Sequence, residues 1–459
     1  MTGARRAAAA IACAAGSAAL LASQRVLLET AARLQSPVDL FFDPKRPVTA
    51  DVVRSLPYHV VDAVFAPPTW VHAALLVTGL VQTLVLYALY RALRDRDVTL
   101  AERIVLGAIA LAMLVVALDT RTVNGFDTYA EAGYAKLGLA QAYSPPATPF
   151  GNGFAFVSTI WGTPMLPDGQ GPGWVALTAA TAGRAATLGG AIFTLRVLEV
   201  VALLALIVML ARRNTTALAV PALVALNPAL YFSYVVNAQP DLFAVTLMIG
   251  ALAAAAAFPI LAAVLIACAA LVKLPLLLLA PAVFVAPRPP ATPTARNSVR
   301  ARLGYIALAA LITAVASFVL GGSEYFARFG AEVRAAFVPA DAAGLIPTTI
   351  RCGLLVVAAF ALVRAFRLAT VRNADRWSFI ALSPTIAPAA LAWMLPYAGL
   401  GRVMLVNSLI VFPLAAAILD VSFPHAGFGV LATAAMLAYA VIEAIRLRKT
   451  RRPATAEGH

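Results

Sequence analysis

Cysteine, histidine and charge are all scarce in this chain. It holds three cysteines and four histidines in 459 residues, and only 12% of its residues are charged. Cys13, Cys268 and Cys352 stand far apart, in or beside apolar runs. They have no paired spacing, which excludes a disulfide framework, and they read as small buried residues. His59, His72, His425 and His459 are scattered without metal-ligand spacing. A soluble globular domain is nearer a quarter charged and has no repeated apolar runs of membrane length. Short segments of alternating hydrophobicity are also missing, which argues against a transmembrane β-barrel.

What remains is apolar. Hydrophobic residues make up 62% of the chain, and the mean hydropathy is +0.86. About 20 apolar residues are needed to span a bilayer as a helix. With that window the sequence predicts helices near 7–24, 70–92, 103–118, 188–211, 216–235, 242–257, 259–272, 274–287, 303–320, 347–366, 378–396, 403–420 and 427–446. The expected fold is an all-α polytopic membrane protein, a single membrane domain over 1–459 with about 11–13 transmembrane helices. The N-terminal stretch "MTGARRAAAAIACAAGSAALLASQ" has features of a signal peptide but is read as the first spanning helix.

The net charge of +14 does not point to nucleic acid, because the basic residues are dispersed over short connections: "RALRDRD", "ARRNTT", "PRPPATPTARNSVRAR", "RAFRLATVRNADR" and "RLRKTRR". Nucleic-acid binding needs one continuous basic face, whereas this dispersal is that of cytoplasmic loops. With the N-terminus inside, the segments at about 25–69, 119–187 and 321–346 fall outside as long loops. The stretch 447–459 is a basic tail expected to be disordered. Thirteen spans would put that tail outside, so either one late segment does not cross or the tail departs from the rule. No internal repeat is visible, which weakens a transporter reading.

Chemistry concentrates at a few places. Asp119 ends an apolar run, and "NGFDTYAEAG" then brings Asp127, Tyr129 and Glu131. A carboxylate held partly out of water can serve as a general base, and Asp127, among aromatic and glycine neighbours, is the candidate. The segment continues through "AYSPP" to "WGTPMLPDGQGPGWVAL". Its prolines, with Trp161 and Trp174, suit an ordered cover near the membrane surface rather than a flexible linker. Charges inside apolar runs are expensive and default to a functional or paired role. Lys273, in "LVKLPLLLLAP", could reach a phosphate or snorkel to the interface. Arg196 and Glu199, spaced i, i+3, are expected to pair with each other. "YVVNAQPDLF" offers Asn237, Gln239 and Asp241, and "PYAGLGRVMLVN" offers Tyr397 and Arg402, as polar groups for a sugar or a phosphate.

This order of motifs, "D-x-Y-x-x-x-G", "Y-S-P-P", "G-P-G-W", "N-A-Q-P-D" and "L-V-K-L-P", resembles the GT-C superfamily of membrane glycosyltransferases, especially bacterial polyprenyl-phosphate-mannose-dependent mannosyltransferases. The resemblance covers roughly 103–290. Gln239 stands where that family commonly has histidine, and "Q-G-P" where Tyr-Gly-Pro is usual. The resemblance implies a bacterial inner-membrane enzyme with long extracytoplasmic loops. It would take a sugar from a polyprenyl phosphate, mannose before arabinose or glucose, and transfer it with inversion to a lipid or glycan acceptor. Asp127 would be the base, with Asp39 or Asp43 of the 25–69 segment as the alternative. Lys273, with Arg402 or Arg196, would hold the donor phosphate; Tyr129, Asn237, Gln239, Asp241, Trp174 and Tyr397 would line the substrate. A cofactor is not required, although Asp119, Asp127 and Asp241 could share a divalent metal. The rival readings are a transporter of lipid-linked sugars or small solutes, and a non-catalytic paralogue.

Overall fold

The structure is a computed structural model, and it describes residues 3–35, 69–120, 127–146, 168–213, 218–255, 257–285, 299–337, 406, 409–414 and 416–417. Over these residues the chain is mostly helical and contains no strand. Helix α1 covers Gly3–Gln35, α2 Thr69–Leu93 and α3 Leu100–Asp119. The polar helix α4 is Asp127–Leu137, and α5 is Pro172–Ala180. Helix α6 is Leu188–Arg213, α7 Ala219–Ala225, α8 Asp241–Ala254, α9 Pro259–Val272 and α10 Val299–Phe337.

Five of the described helices are long and apolar enough to cross a membrane: Gly3–Thr30, Ala73–Leu93, Leu100–Asp119, Leu188–Arg212 and Arg300–Ala331. A sixth would be the pair Ala219–Ala225 and Pro228–Val236, bent by 44°. Their outward side chains are large and apolar, among them Leu84, Leu111, Val201 and Phe318, as lipid-facing positions should be. The chain is therefore a multi-pass helical membrane protein in its described part.

Local chemistry sets the element ends. Thr99 caps α3, and Glu102 returns the favour to the Thr99 amide, a reciprocal capping box. Arg96 holds the same Glu102 carboxylate with two hydrogen bonds of 3.0 and 2.9 Å. Helices α1, α2 and α3 pack together, and inside the α1–α2 contact the Gln82 amide donates to the Gln24 side chain at 3.1 Å. Such an interhelical polar bond contributes about 0.6 kcal/mol in a membrane helix bundle. Helices α8, α9 and α10 form a second group, joined to the first through α6.

Several expectations change. Residues 25–35, expected as the start of an outer loop, continue α1. The region 119–187 is not a plain loop, since it contains α4, the short helix Leu139–Ala142 and α5. The stretch 216–235 is broken rather than straight. Asn227 caps a new start and Pro228 cannot continue the old helix, after which Tyr231–Val236 winds as a π-helix. The stretch 274–287 opens with a 3₁₀ turn, Leu274–Leu279, because Pro275 and Pro281 disfavour a regular helix, and only Ala280–Val285 is α-helical. The stretch 321–346 is helical as far as Phe337, with a break at Gly322, whose φ of 60° suits glycine. The segments expected at 347–366, 378–396 and 427–446, and the tail 447–459, lie outside the described residues. So does most of 403–420, although residues 406, 409–414 and 416–417 within it are helical.

Gly79 lets α2 meet that last helical piece. A Cβ there would lie 2.7 Å from the Ala417 Cβ and 2.8 Å from the Pro413 carbonyl oxygen. Gly79→Val is expected to destabilise the detergent-solubilised protein by about 1–3 kcal/mol through overpacking. Gly107, on α3, has nothing within 4 Å of its added Cβ, so Gly107→Ala should be neutral or stabilising by up to about 1 kcal/mol. Thermal melts of the two variants check this contrast.

Candidate functional site

The site forms where four helix ends meet. Lys273 links the end of α9 to the 3₁₀ turn, and its extended backbone (φ −140°, ψ 103°) turns the chain there. Its ammonium forms an ion pair with the carboxylate of Asp241, which opens α8, where the helix dipole favours an acid. The two side chains keep 20% and 10% of their surface exposed. Just before Asp241, Ala238 sits at φ 50°, an uncommon conformation for a residue with a side chain and one that costs energy to hold.

The "QGPGW" segment is docked onto this end of α9. The Gly171 amide donates to the Val272 carbonyl at 2.8 Å. A Cβ on Gly171 would lie 2.6 Å from the Leu271 carbonyl carbon, and one on Gly173 would lie 2.7 Å from the Leu271 Cβ. Both glycines are needed for the backbones to come this close. Upstream, the Asp168 carboxylate accepts from the Gln170 amide at 2.8 Å, and Tyr143 of "AYSPP" donates to the Gln170 carbonyl at 3.0 Å. The "AYSPP" and "GPGW" elements are thus one structure built against Leu271 and Val272, the residues that lead into Lys273.

Helix α4 closes another side. Thr128 donates to the Asn237 carbonyl at 2.6 Å. Glu131 is buried and accepts a 2.9 Å hydrogen bond from the Trp174 indole. Trp174 has no exposed surface, so it is a core anchor and not the interfacial residue expected from its loop. Asp127 is the first residue of α4; its side chain lies outside the described residues. Burial pushes the Tyr129 phenol above its ordinary value, opposed by the charge of Arg196.

Arg196 and Glu199 do not pair, contrary to expectation. Arg196 donates through Nε to the Val236 carbonyl at 2.9 Å and through Nη1 to the carbonyls of Leu118, at 3.4 Å, and Thr120. It caps the ends of α3 and the π-helix, a role that cations take at helix C-termini. Glu199, one turn further on, is fully buried and faces Asp241, Glu131, Lys273 and the Phe243 amide.

The structure therefore brings together Lys273, Asp241, Trp174, Tyr129, Asn237 and Arg196 of the expected set, with Gln239 half-buried in the same turn. Asn237 is buried, and its carbonyl is used by Thr128. Asp119 is two-thirds exposed and pairs with Arg25 at 2.8 Å. Among the described residues no group of three or more His, Cys, Asp or Glu is arranged to hold a metal ion. Asp39, Asp43, Trp161, Tyr397 and Arg402 lie outside the described residues. The sequence reading did not assign Glu131 to the site. Its signal was the i, i+4 spacing from Asp127, which sets both on one face of α4.

Compared with models of protein families, with characterised proteins and with solved structures, the chain matches none.

Removing the indole donor tests how far Trp174 holds Glu131. Trp174→Phe keeps most of the apolar volume but withdraws the hydrogen bond, and a cost of about 1–3 kcal/mol in thermal stability is expected. Trp174→Leu should cost more, since it also leaves a cavity.

Proposed function

We propose that the chain is a membrane glycosyltransferase of the GT-C kind. In this reading it moves a sugar, mannose in the first instance, from a polyprenyl phosphate to a lipid or glycan acceptor at the extracytoplasmic face of the cell membrane. The observation that carries the reading is the partly exposed Lys273–Asp241 ion pair, set at a helix break among apolar helices and walled by the "GPGW" segment and α4. An ammonium in that position suits the phosphate of a donor whose tail lies between helices. The donor phosphate would compete with Asp241 for Lys273 and then leave with the lipid when the anomeric bond breaks. Asp127, at the N-terminus of α4, would take the proton of the acceptor hydroxyl. Arg196 gives Nε and Nη1 to backbone carbonyls and keeps Nη2 without a partner among the described residues, so the phosphate role falls first to Lys273, with Arg402 or Arg196 as its candidate partner.

A second reading, a transporter of lipid-linked sugar, is favoured by one feature. Glu199 is a fully buried acid beside an interrupted helix, an arrangement also found where ions and solutes cross membranes.

The experiment is transfer of radiolabelled mannose from polyprenyl-phosphate-mannose to membrane lipid acceptors by the purified protein in vesicles. Asp127→Asn is expected to lower the rate by about 10²–10⁴-fold. Lys273→Met should raise the donor concentration needed and slow transfer, while Arg334→Gln, at an exposed position, should leave the rate unchanged. If Asp127→Asn retains full activity, the base is elsewhere. Labelled lipid that crosses the bilayer with its glycosidic bond intact would favour the transporter.

A further inference from the structure

The far end of α3 from the candidate site is basic. Arg5 and Arg6 stand at the start of α1, Arg91 in the last turn of α2 and Arg103 near the start of α3. Arg94, Asp95, Arg96 and Asp97 lie in the connection between α2 and α3. These positions are the ends of three spans, Gly3–Thr30, Ala73–Leu93 and Leu100–Asp119. Helix α3 runs from here to Thr120, whose carbonyl Arg196 holds. Its 20 residues set the two ends about 30 Å apart, the thickness of a bilayer core.

The nearby acids are mostly taken. Asp95 pairs with Arg94 at 2.6 Å and Glu102 with Arg96 at 2.9 Å. The other arginines bond only to neutral groups, which leaves their charge in place. Arg6 reaches across from α1 and donates through Nη2 to the carbonyls of Arg91, at 3.0 Å, and Arg94, at 3.2 Å. Arg91 donates through Nη1 to the Tyr87 hydroxyl at 3.4 Å, and Arg103 donates to the Val98 carbonyl at 3.1 Å. Arg5 is exposed, and α1 has no acid in its first turn. Among the described residues of this end, Asp97 is the one acid left for Arg5, Arg6, Arg91 and Arg103. Closing the end of α2 with Arg6 satisfies its last carbonyls, but it brings like charges together, and an anion would relieve the repulsion.

The charged patch continues into a lipid-facing strip. Leu84, Tyr87 and Arg91 are spaced i, i+3 and i+7 on α2, so they share one face, and all three are exposed. Along that face the order is apolar, then aromatic with a hydroxyl, then cationic, as in a bilayer from core to headgroup. Nε and Nη2 of Arg91 are left for an anion, the fork with which arginine takes a phosphate through two bonds. A water-soluble partner would first have to displace lipid from Leu84 and Tyr87. A phospholipid brings its tail and its phosphate to the two levels together.

We propose that this end of α1 and α2 binds the headgroup of an anionic phospholipid in the cytoplasmic leaflet. Arg91 takes the phosphate, Arg5 and Arg6 add attraction, and Arg6 holds the two helix ends together. A basic end is the one expected inside, and each arginine near an anionic surface adds about fivefold to binding. The inference is independent of the chemistry at the other end of the bundle.

The test titrates the full-length protein, in neutral detergent, with phosphatidylglycerol or with phosphatidylcholine of the same chains, and counts bound lipid by native mass spectrometry. The wild type should bind phosphatidylglycerol more tightly. Arg91→Gln, and then Arg5→Gln with Arg91→Gln, should reduce that preference by about fivefold for each arginine removed. Both variants leave the Arg6 bonds to the backbone in place, and Arg91→Lys, which keeps the charge, should retain most of the preference. Arg184→Gln with Arg334→Gln removes the same charge at exposed positions elsewhere and should leave the preference unchanged. Equal binding of the two lipids by the wild type overturns the proposal, as does a preference that survives Arg5→Gln with Arg91→Gln. An equal loss in the Arg184→Gln, Arg334→Gln protein would mean that net charge alone attracts the lipid, and overturns the site. Glycerol 1-phosphate should protect against thermal unfolding less than phosphatidylglycerol does; equal protection would make the occupant a soluble anion and overturn the lipid assignment.

Discussion

The structure turns on how one arginine settles the backbone. Where α3 ends and the π-helix ends, carbonyl groups lose their helical partners within a mostly apolar bundle, where no solvent replaces them. The Arg196 guanidinium answers three of those carbonyls from a single position on α6. That fixes the end of α3 against the start of the "NAQPD" turn. It also fixes the side from which α4 approaches, because Thr128 is bonded to Asn237, the residue that follows Val236. The position of Asp241, and through it of Lys273, is downstream of this arrangement.

The second constraint is close backbone approach. The chain places glycine at 171 and 173, where it must lie against Leu271 and Val272, and proline at 172 to start α5. Proline in the first turn costs no hydrogen bond. The result is a rigid wall next to Lys273, built without bulky side chains. Trp174, immediately after, uses its indole to hold Glu131. Four consecutive residues thus connect α9, through Leu271 and Val272, to Glu131 on α4.

Much of this was legible in the residues themselves, and the failures have physical causes. The spans at 70–92, 103–118, 188–211 and 303–320 were visible because uninterrupted apolar length is what a bilayer requires. The helix at 259–272 emerged with the expected bounds, Pro259–Val272, because proline starts it and Lys273–Leu274–Pro275 stops it. The interruption at 226–228 was missed because hydropathy does not register a bend, and only Asn227–Pro228 announced it. Lys273 and Asp241 were both singled out, but 32 positions apart in the chain, and no local pattern says that α8 and α9 fold back to bring them together. Arg196 and Glu199 misled for the opposite reason: neighbours on one helix face can still be drawn to different partners when stronger claims lie on either side. Trp174 read as a surface aromatic because its surroundings are rich in glycine and proline, and its burial depends on α4 covering it.

The π-helix at Tyr231–Val236 makes the length of this stretch matter as much as its composition. A wide turn accommodates one residue more than an ordinary turn would. Adding one further residue, which the wide turn has no room left to absorb, would swing everything beyond it by about 100°. Asn237 and Asp241 would then leave their partners on α4 and α9 without any of those residues having been altered. Conservative replacements of Phe232 or Val235 would preserve the register, so variation across this stretch should run through exchange of residues and avoid insertion.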